Sequence, residues 1–78
     1  MQTTRQIKQV IGSNVQQLRR EKGMSRRLFA EALGVDSMVV YKWERGLHRP
    51  NDLNLALLAH FGDREPGWFY TDHEKKAA

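Results

Sequence analysis

Residues 24–46, MSRRLFAEALGVDSMVVYKWERG, carry the strongest structural signal in this sequence of 78 residues. Ser25 is a favourable N-cap residue, because its hydroxyl can accept from backbone N–H groups that have no partner in a first helical turn. Apolar residues then recur at spacings of three and four, the period of a helix with one buried face; they are Leu28, Phe29, Ala32 and Leu33. Gly34 follows where a helix commonly ends in a left-handed residue. The pattern predicts a helix over about residues 26–33.

A second short helix is predicted after a turn of about three residues. Asp36 is another favourable N-cap residue, and Gly46 stands where this helix would end. Three apolar residues give the helix a buried side: Val39, Val40 and Trp43. Two capped helices across a short glycine turn are the ingredients of a helix-turn-helix motif, whose second helix is presented for recognition. We expect that second helix over about residues 37–45.

Helical periodicity also flanks this motif. Thr3 and Gln6 fit a capping box, and the apolar stripe that follows predicts a helix over about residues 4–21. A further helix over about residues 51–61 is apolar on two sides: Leu53, Ala56, Leu57 and Phe61 share one face, and Leu55, Leu58 and Ala59 share the other. Both faces need burial, one in the core and the other against the C-terminal segment or a second subunit. An aromatic run predicts a short fifth helix: Trp68, Phe69 and Tyr70.

Length and composition indicate one small domain with enough apolar residues for a small core. We expect a single domain over residues 1–70 and a polar tail over residues 71–78 that frays. The absence of cysteine excludes disulfides and thiol zinc sites and is compatible with a reducing cytoplasm. No apolar run approaches the roughly 20 residues that a membrane-spanning helix needs. The net charge of +4 favours polyanionic partners, but a charge this modest is also common in domains that bind none.

The chain resembles the helix-turn-helix family of phage repressors, Cro proteins and Xre-type regulators over about residues 7–61. Seven pieces carry the resemblance: residues 18–19 (LR), 23–25 (GMS), 28–30 (LFA), 33–35 (LGV), Val40, residues 43–46 (WERG) and Pro50. The resemblance implies an all-α, lambda-repressor-like bundle of about five short helices. It also implies that Arg19 pairs with Glu44 and ties the first helix to the end of the recognition helix. The family often has Gln where this chain has Arg26, so a contact peculiar to Gln is not carried over.

The first turn of the motif's first helix contains two cations at the wrong end for the helix dipole. Arg26 and Arg27 each oppose that dipole by typically about 0.3–1 kcal/mol, so local stability does not explain them. A bound phosphate would explain both cations, because an anion at a helix N-terminus meets free backbone N–H groups. We therefore predict DNA phosphate contacts for Arg26 and Arg27, and for Arg49 in the loop after the recognition helix. For Arg26 and Arg27 the alternative is that both cations are solvated at small cost.

Four residues on the outer side of the recognition helix are candidates for base contacts. By resemblance, Ser37, Met38 and Lys42 match positions that contact bases, and Tyr41 matches one that touches bases or backbone. The N-terminal residues of a recognition helix reach base edges in the major groove. The alternatives are that Met38 fills the core, that Lys42 contacts only phosphate and that Tyr41 covers Trp43.

The resemblance implies a transcriptional regulator that binds a specific double-stranded DNA sequence. Such proteins usually bind inverted half-sites as homodimers, and the candidate dimer contacts are Leu55, Leu58, Trp68 and Phe69; a lid on the core is the alternative for the aromatic pair. We expect a cytoplasmic, nucleoid-associated protein encoded by a bacterium or phage. The rival function is a protein-interaction module, or an antitoxin or controller component, that works through the fourth helix and the aromatic segment.

Catalysis is not expected. The sequence has no cysteine, and its three histidines, His48, His60 and His73, are too far apart for a metal pair on one helix face. No Ser, His and Asp set converges in a domain this small, which has no room for a cleft. We therefore predict no enzyme activity, no metal, no cofactor and no small-molecule ligand.

Overall fold

The computed structural model describes residues 3–73, which contain helices and no strand. There are four α-helices and a C-terminal 3₁₀ helix: α1 (Thr4–Glu21), α2 (Arg26–Leu33), α3 (Ser37–Glu44), α4 (Asp52–Gly62) and the 3₁₀ helix Pro66–Tyr70. The all-α prediction is confirmed. The expected fifth helix is a single 3₁₀ segment, and the predicted ends of α3 and α4 differ from the observed ends by one residue.

Each α-helix begins after a polar residue whose side chain accepts from an early backbone N–H group. The four cap residues are Thr3, Ser25, Asp36 and Asn51. At α1 the predicted capping box is complete: the Thr3 hydroxyl accepts from the Gln6 backbone N–H at 3.1 Å, and the Gln6 side chain accepts from the Thr3 backbone N–H at 2.8 Å. These caps satisfy donors that would otherwise lack a partner, which explains why the helix starts were readable from the sequence.

The core lies where α1 meets the other elements. Its fully buried side chains include Val15 and Leu18 of α1, Phe29 of α2, Val40 of α3 and Phe69 of the 3₁₀ helix. Gly12 lets α1 and α3 approach closely, because a Cβ atom at that position would lie 2.1 Å from the carbonyl oxygen of Trp43. α3 therefore packs directly on the backbone of α1.

The structure decides which face of α4 is buried. The inward face is Leu55, Leu58 and Ala59, which are 7%, 0% and 4% exposed. Leu53 and Leu57 of the other face point outward, at 69% and 39% exposed.

Three of the four predicted dimer contacts are wrong. Leu55, Leu58 and Phe69 lie in the core of one chain, where a second subunit cannot reach them. Trp68 is partly buried against that core. The interpretation of the aromatic segment as a lid therefore holds for Phe69.

A buried asparagine fastens the C-terminal segment to α1. The side-chain amide of Asn14, a residue only 3% exposed, donates to the carbonyl oxygens of Trp68, Phe69 and Thr71 at 3.2, 2.8 and 2.8 Å. His73 stacks on the Trp68 ring with centroids 4.5 Å apart. Thr71 and His73, which belong to the predicted tail, are thus held against the rest of the chain, and residues 74–78 lie outside the described part of the chain.

Candidate nucleic-acid interface

The turn between α2 and α3 fixes the angle at which α3 is presented. Gly34 takes the left-handed conformation at φ +77°, and the next N–H, that of Val35, donates to the carbonyl oxygen of Ala30 at 3.0 Å. This is the helix-ending geometry that glycine adopts at little cost. Val35 packs against the core, so the turn is held by both backbone and side chain.

The buried side of α3 leaves its other side to solvent. Val40 and Trp43 are 0% and 3% exposed, whereas Ser37, Met38 and Lys42 are exposed. Met38 is 54% exposed, so the alternative in which it fills the core is wrong.

A buried carboxylate ties three helices together at the C-terminal end of α3. The Glu44 side chain is 0% exposed. Arg19 of α1 donates to its two oxygens, from Nε to Oε2 at 2.6 Å and from Nη2 to Oε1 at 3.1 Å. Arg26 of α2 donates from Nε to Oε1 at 3.0 Å. The structure thus contains the Arg19–Glu44 pair that the resemblance implied, and adds a second arginine to it.

The contact of Arg26 changes the argument about the cations at the start of α2. Cations at the N-terminus of α2 require an anion nearby, and Glu44, 18 residues further along the chain than Arg26, supplies one within the protein. The Arg26 side chain is 39% exposed, so part of it still reaches solvent. A DNA phosphate is therefore no longer needed to explain this residue.

Arg27 and Arg49 remain on the surface. Arg27 lies 3.5 Å from Glu31 one helical turn later, and the two side chains are 74% and 63% exposed. Arg49 donates from Nη2 to the Tyr70 hydroxyl at 2.7 Å, and its guanidinium lies over the ring of that tyrosine. The first pair is weak because both groups are hydrated, so Arg27 can exchange Glu31 for another anion.

Sequence reasoning missed Arg45, which contacts the partly buried Tyr41. Its Nη1 donates to the Tyr41 hydroxyl at 2.9 Å, and the guanidinium carbons of Arg45 and Arg26 lie 5.6 and 5.3 Å from the ring centroid. The signal available in the sequence was the i, i+4 spacing of Tyr41 and Arg45 on one helix face.

The pKa of one carboxyl group outside α3, that of Glu21, departs from its ordinary value. The pKa of Glu21, near the end of α1, is lowered, chiefly by the hydrogen bond from the Arg64 side chain and then by that from Gln17.

Within residues 3–73, no three His, Cys, Asp or Glu side chains are grouped to hold a metal ion. No helix in that part of the chain is long and apolar enough to cross a bilayer.

Two short helices joined at a left-handed glycine, the second presenting a polar side, define a helix-turn-helix DNA-binding domain. A model of the helix-turn-helix family matches residues 15–69. The chain belongs to that family, in its Cro- and repressor-like, Xre-type group. This is a family of DNA-binding domains rather than of enzymes. No curated protein sequence matches the chain significantly.

Proposed function

We propose that this protein is a transcriptional regulator that binds a specific double-stranded DNA sequence with α3 in the major groove. The observation that carries the proposal is the exposed side of α3, where Ser37, Met38 and Lys42 stand free of the core. A helix whose opposite side is buried cannot turn these side chains inward. The N-terminal residues of a recognition helix are the ones that reach base edges.

The exposed side chains have chemistry that suits base edges. Lys42 can donate to guanine O6 and N7, and Ser37 can donate or accept. Met38 can pack on a thymine methyl group, because more than half of its surface is open to solvent. The set contains no Asn or Gln, so the bidentate contact that reads adenine is not expected.

Arg27 and Arg49 are the proposed phosphate contacts. Arg27 stands in the first turn of α2, where free N–H groups and the positive dipole end favour an anion, and its side chain is 74% exposed. Arg49 follows the recognition helix and is exposed. Arg26 is less suited to a phosphate, because its Nε is bonded to Glu44.

A homodimer on an inverted-repeat operator completes the proposal. One domain of this size contacts too few base pairs to select one site in a genome, so a second copy is needed for specificity. The exposed apolar side chains of α4, Leu53 and Leu57, replace the buried residues as the proposed contact between copies. In the rival function, a partner protein docks on the same outer face of α4.

The test is selection from a random pool of duplex DNA, with the affinity for the winner then followed against salt. We expect a pseudo-palindromic winner and a steep log–log salt slope, of about 0.9 for each phosphate contact. An absence of enrichment, with only weak binding that vanishes at physiological salt, would contradict the proposal.

Charge reversal separates the proposed function from its rival. The double variant Arg27→Glu, Arg49→Glu should abolish binding to the selected duplex, because both charges would repel the phosphate backbone. Arg20→Glu is the control, since Arg20 is an exposed residue near the end of α1 and outside the proposed contacts. The control should lose only the modest affinity expected from net charge. If the double variant and Arg20→Glu lose the same affinity for the duplex, the basic residues do not form a DNA site, and a protein partner is favoured.

A further inference from the structure

We propose that Arg26 and Arg45 are positioning residues that hold Tyr41 on the recognition helix, and that Tyr41 reads a hydrogen-bond acceptor on a base edge. The inference rests on the proposed DNA-binding function. It gives Arg26 a different role from its neighbour Arg27, although both occupy the first turn of α2.

The orientation of Arg26 is set from inside the protein. Its Nε donates to Oε1 of Glu44 at 3.0 Å, an oxygen that also accepts from Arg19 Nη2 at 3.1 Å. The Glu44 side chain is completely buried, so this acceptor cannot move toward solvent. Because a guanidinium group is planar and rigid, a bond at Nε restricts the direction of the whole group.

The group so oriented lies against Tyr41. The Arg26 guanidinium carbon is 5.3 Å from the Tyr41 ring centroid, within the range in which a cation is attracted to an aromatic face. Arg45, the residue that follows α3 and lies one turn after Tyr41, is 5.6 Å from the same centroid and donates to the hydroxyl at 2.9 Å. A tyrosine side chain has two torsions. The contacts from Arg26 on α2 and from Arg45 after α3 restrict both of them.

The bond to Arg45 also decides what the Tyr41 hydroxyl can do. A phenol has one hydrogen to donate and an oxygen that accepts. The oxygen already accepts from Arg45, so the hydrogen remains for an outside acceptor. In the major groove the acceptors are purine N7, guanine O6 and thymine O4. Tyr41 lies on α3 one turn after Ser37 and Met38, beside Lys42, and extends their proposed reading surface along the helix.

The first test needs no DNA. Side-chain couplings that report χ1 of Tyr41 are measured by NMR in the free protein and in the variants Arg26→Gln and Arg45→Gln. We expect one rotamer in the parent protein and averaged couplings in both variants. Arg45 is exposed and its side chain contacts the partly buried Tyr41, so Arg45→Gln leaves the Arg19–Glu44 pair intact and remains informative if Arg26→Gln fails to fold. Unchanged couplings in the folded variants would overturn the inference.

The second test uses the selected duplex and separates positioning from phosphate binding. Tyr41→Phe identifies the base pair concerned, because it keeps the ring and removes only the hydroxyl. Arg26→Gln and Arg45→Gln should bind the selected base pair and its substitutes at that position with more similar affinities. The loss of preference should be at most that of one mismatched base pair, about 5- to 150-fold in affinity, and the slope of affinity against salt should stay unchanged. The matched control Arg27→Gln should lower the slope by about 1 and weaken all sequences alike.

The outcomes distinguish the two proposals. If Arg26→Gln behaves like Arg27→Gln, Arg26 is a phosphate contact and the inference is wrong. If the parent protein selects no DNA at all, the proposed function fails, while the couplings in the free protein still decide whether Arg26 and Arg45 hold Tyr41.

Discussion

Replacing Glu44 with Gln should destabilise the fold strongly while preserving the shape of the side chain. The carboxylate is 0% exposed and its partner Arg19 only 12% exposed, so the substitution leaves a nearly buried guanidinium without its counter-charge. The amide offers one oxygen where two carboxylate oxygens accepted before, and its NH₂ group faces donors. The loss therefore falls on the interaction that joins α1 to the end of α3.

The magnitude follows from burial. Breaking a buried ion pair by removing one partner costs about 3–5 kcal/mol. The contribution of Arg26 is discounted, because its side chain is 39% exposed and water screens the charge. The retained amide oxygen places the expected loss at the lower end, about 3 kcal/mol. A chain of this length has a free energy of unfolding of about 4–12 kcal/mol, so the loss is a large fraction of it.

The assay is thermal and urea unfolding followed by circular dichroism. At about 4–8 °C for each kcal/mol in a domain of this size, the melting temperature should fall by about 12–24 °C. The matched control is Glu31→Gln, whose carboxylate is 63% exposed and pairs with exposed Arg27; it should change stability by no more than about 0.5 kcal/mol. A Glu44→Gln variant as stable as the Glu31→Gln control would refute the reasoning.

Three further substitutions test one close helix approach and two hydrogen-bonded contacts. Gly12→Ala should cost about 3 kcal/mol or more of unfolding free energy in urea, because its Cβ would lie 2.1 Å from the carbonyl oxygen of Trp43. Asn14→Ala removes the donor to three carbonyl oxygens; at about 1–3 kcal/mol for each unsatisfied buried group, it should speed amide exchange throughout the 3₁₀ helix. Arg64→Gln should raise the pKa of Glu21, now lowered mainly by the Arg64 hydrogen bond. A lowered pKa in the folded state stabilises the fold above the unfolded pKa, and this contribution disappears as the pH falls through the folded pKa. NMR titration of the carboxyl group measures the pKa, and urea unfolding at several pH values measures the contribution to stability.

Each of these predictions has a control or a contrary outcome. Gly67→Ala should be nearly neutral, since nothing lies within 4 Å of a Cβ atom placed there; equal losses at Gly12 and Gly67 would mean that the close helix approach is unimportant. Unchanged amide exchange in Asn14→Ala would mean that the C-terminal segment is held by its apolar contacts alone. A Glu21 titration that does not move in Arg64→Gln would assign the lowered pKa to the second hydrogen bond, from Gln17.

Local signals made the helix boundaries predictable. Caps such as Thr3 and Ser25 act within three residues of their own position, and Gly34 marks its turn without help from the rest of the chain. The exposed side of α3 followed from the same periodicity, because Val40 and Trp43 identify the buried side.

Contacts between residues far apart in the chain could not be predicted from the sequence. Asn14 bonds carbonyl groups more than 50 residues away, and nothing near it in the chain indicates that role. α4 is apolar on both sides, so packing against α2 and the 3₁₀ helix selects Leu55 and Leu58 for the core. The local electrostatic argument for an anion at Arg26 was sound, but the anion belongs to Glu44, which folding brings there.

The most direct test of the central claim, that α3 reads bases, is to repeat the DNA selection with Met38→Gln. Met38 is exposed on α3, so the change should leave the fold intact, and glutamine carries the amide that pairs with adenine N6 and N7. We predict a selected sequence altered at one base pair of each half-site, toward adenine, with the other positions unchanged. An identical selected sequence from both proteins would contradict the account.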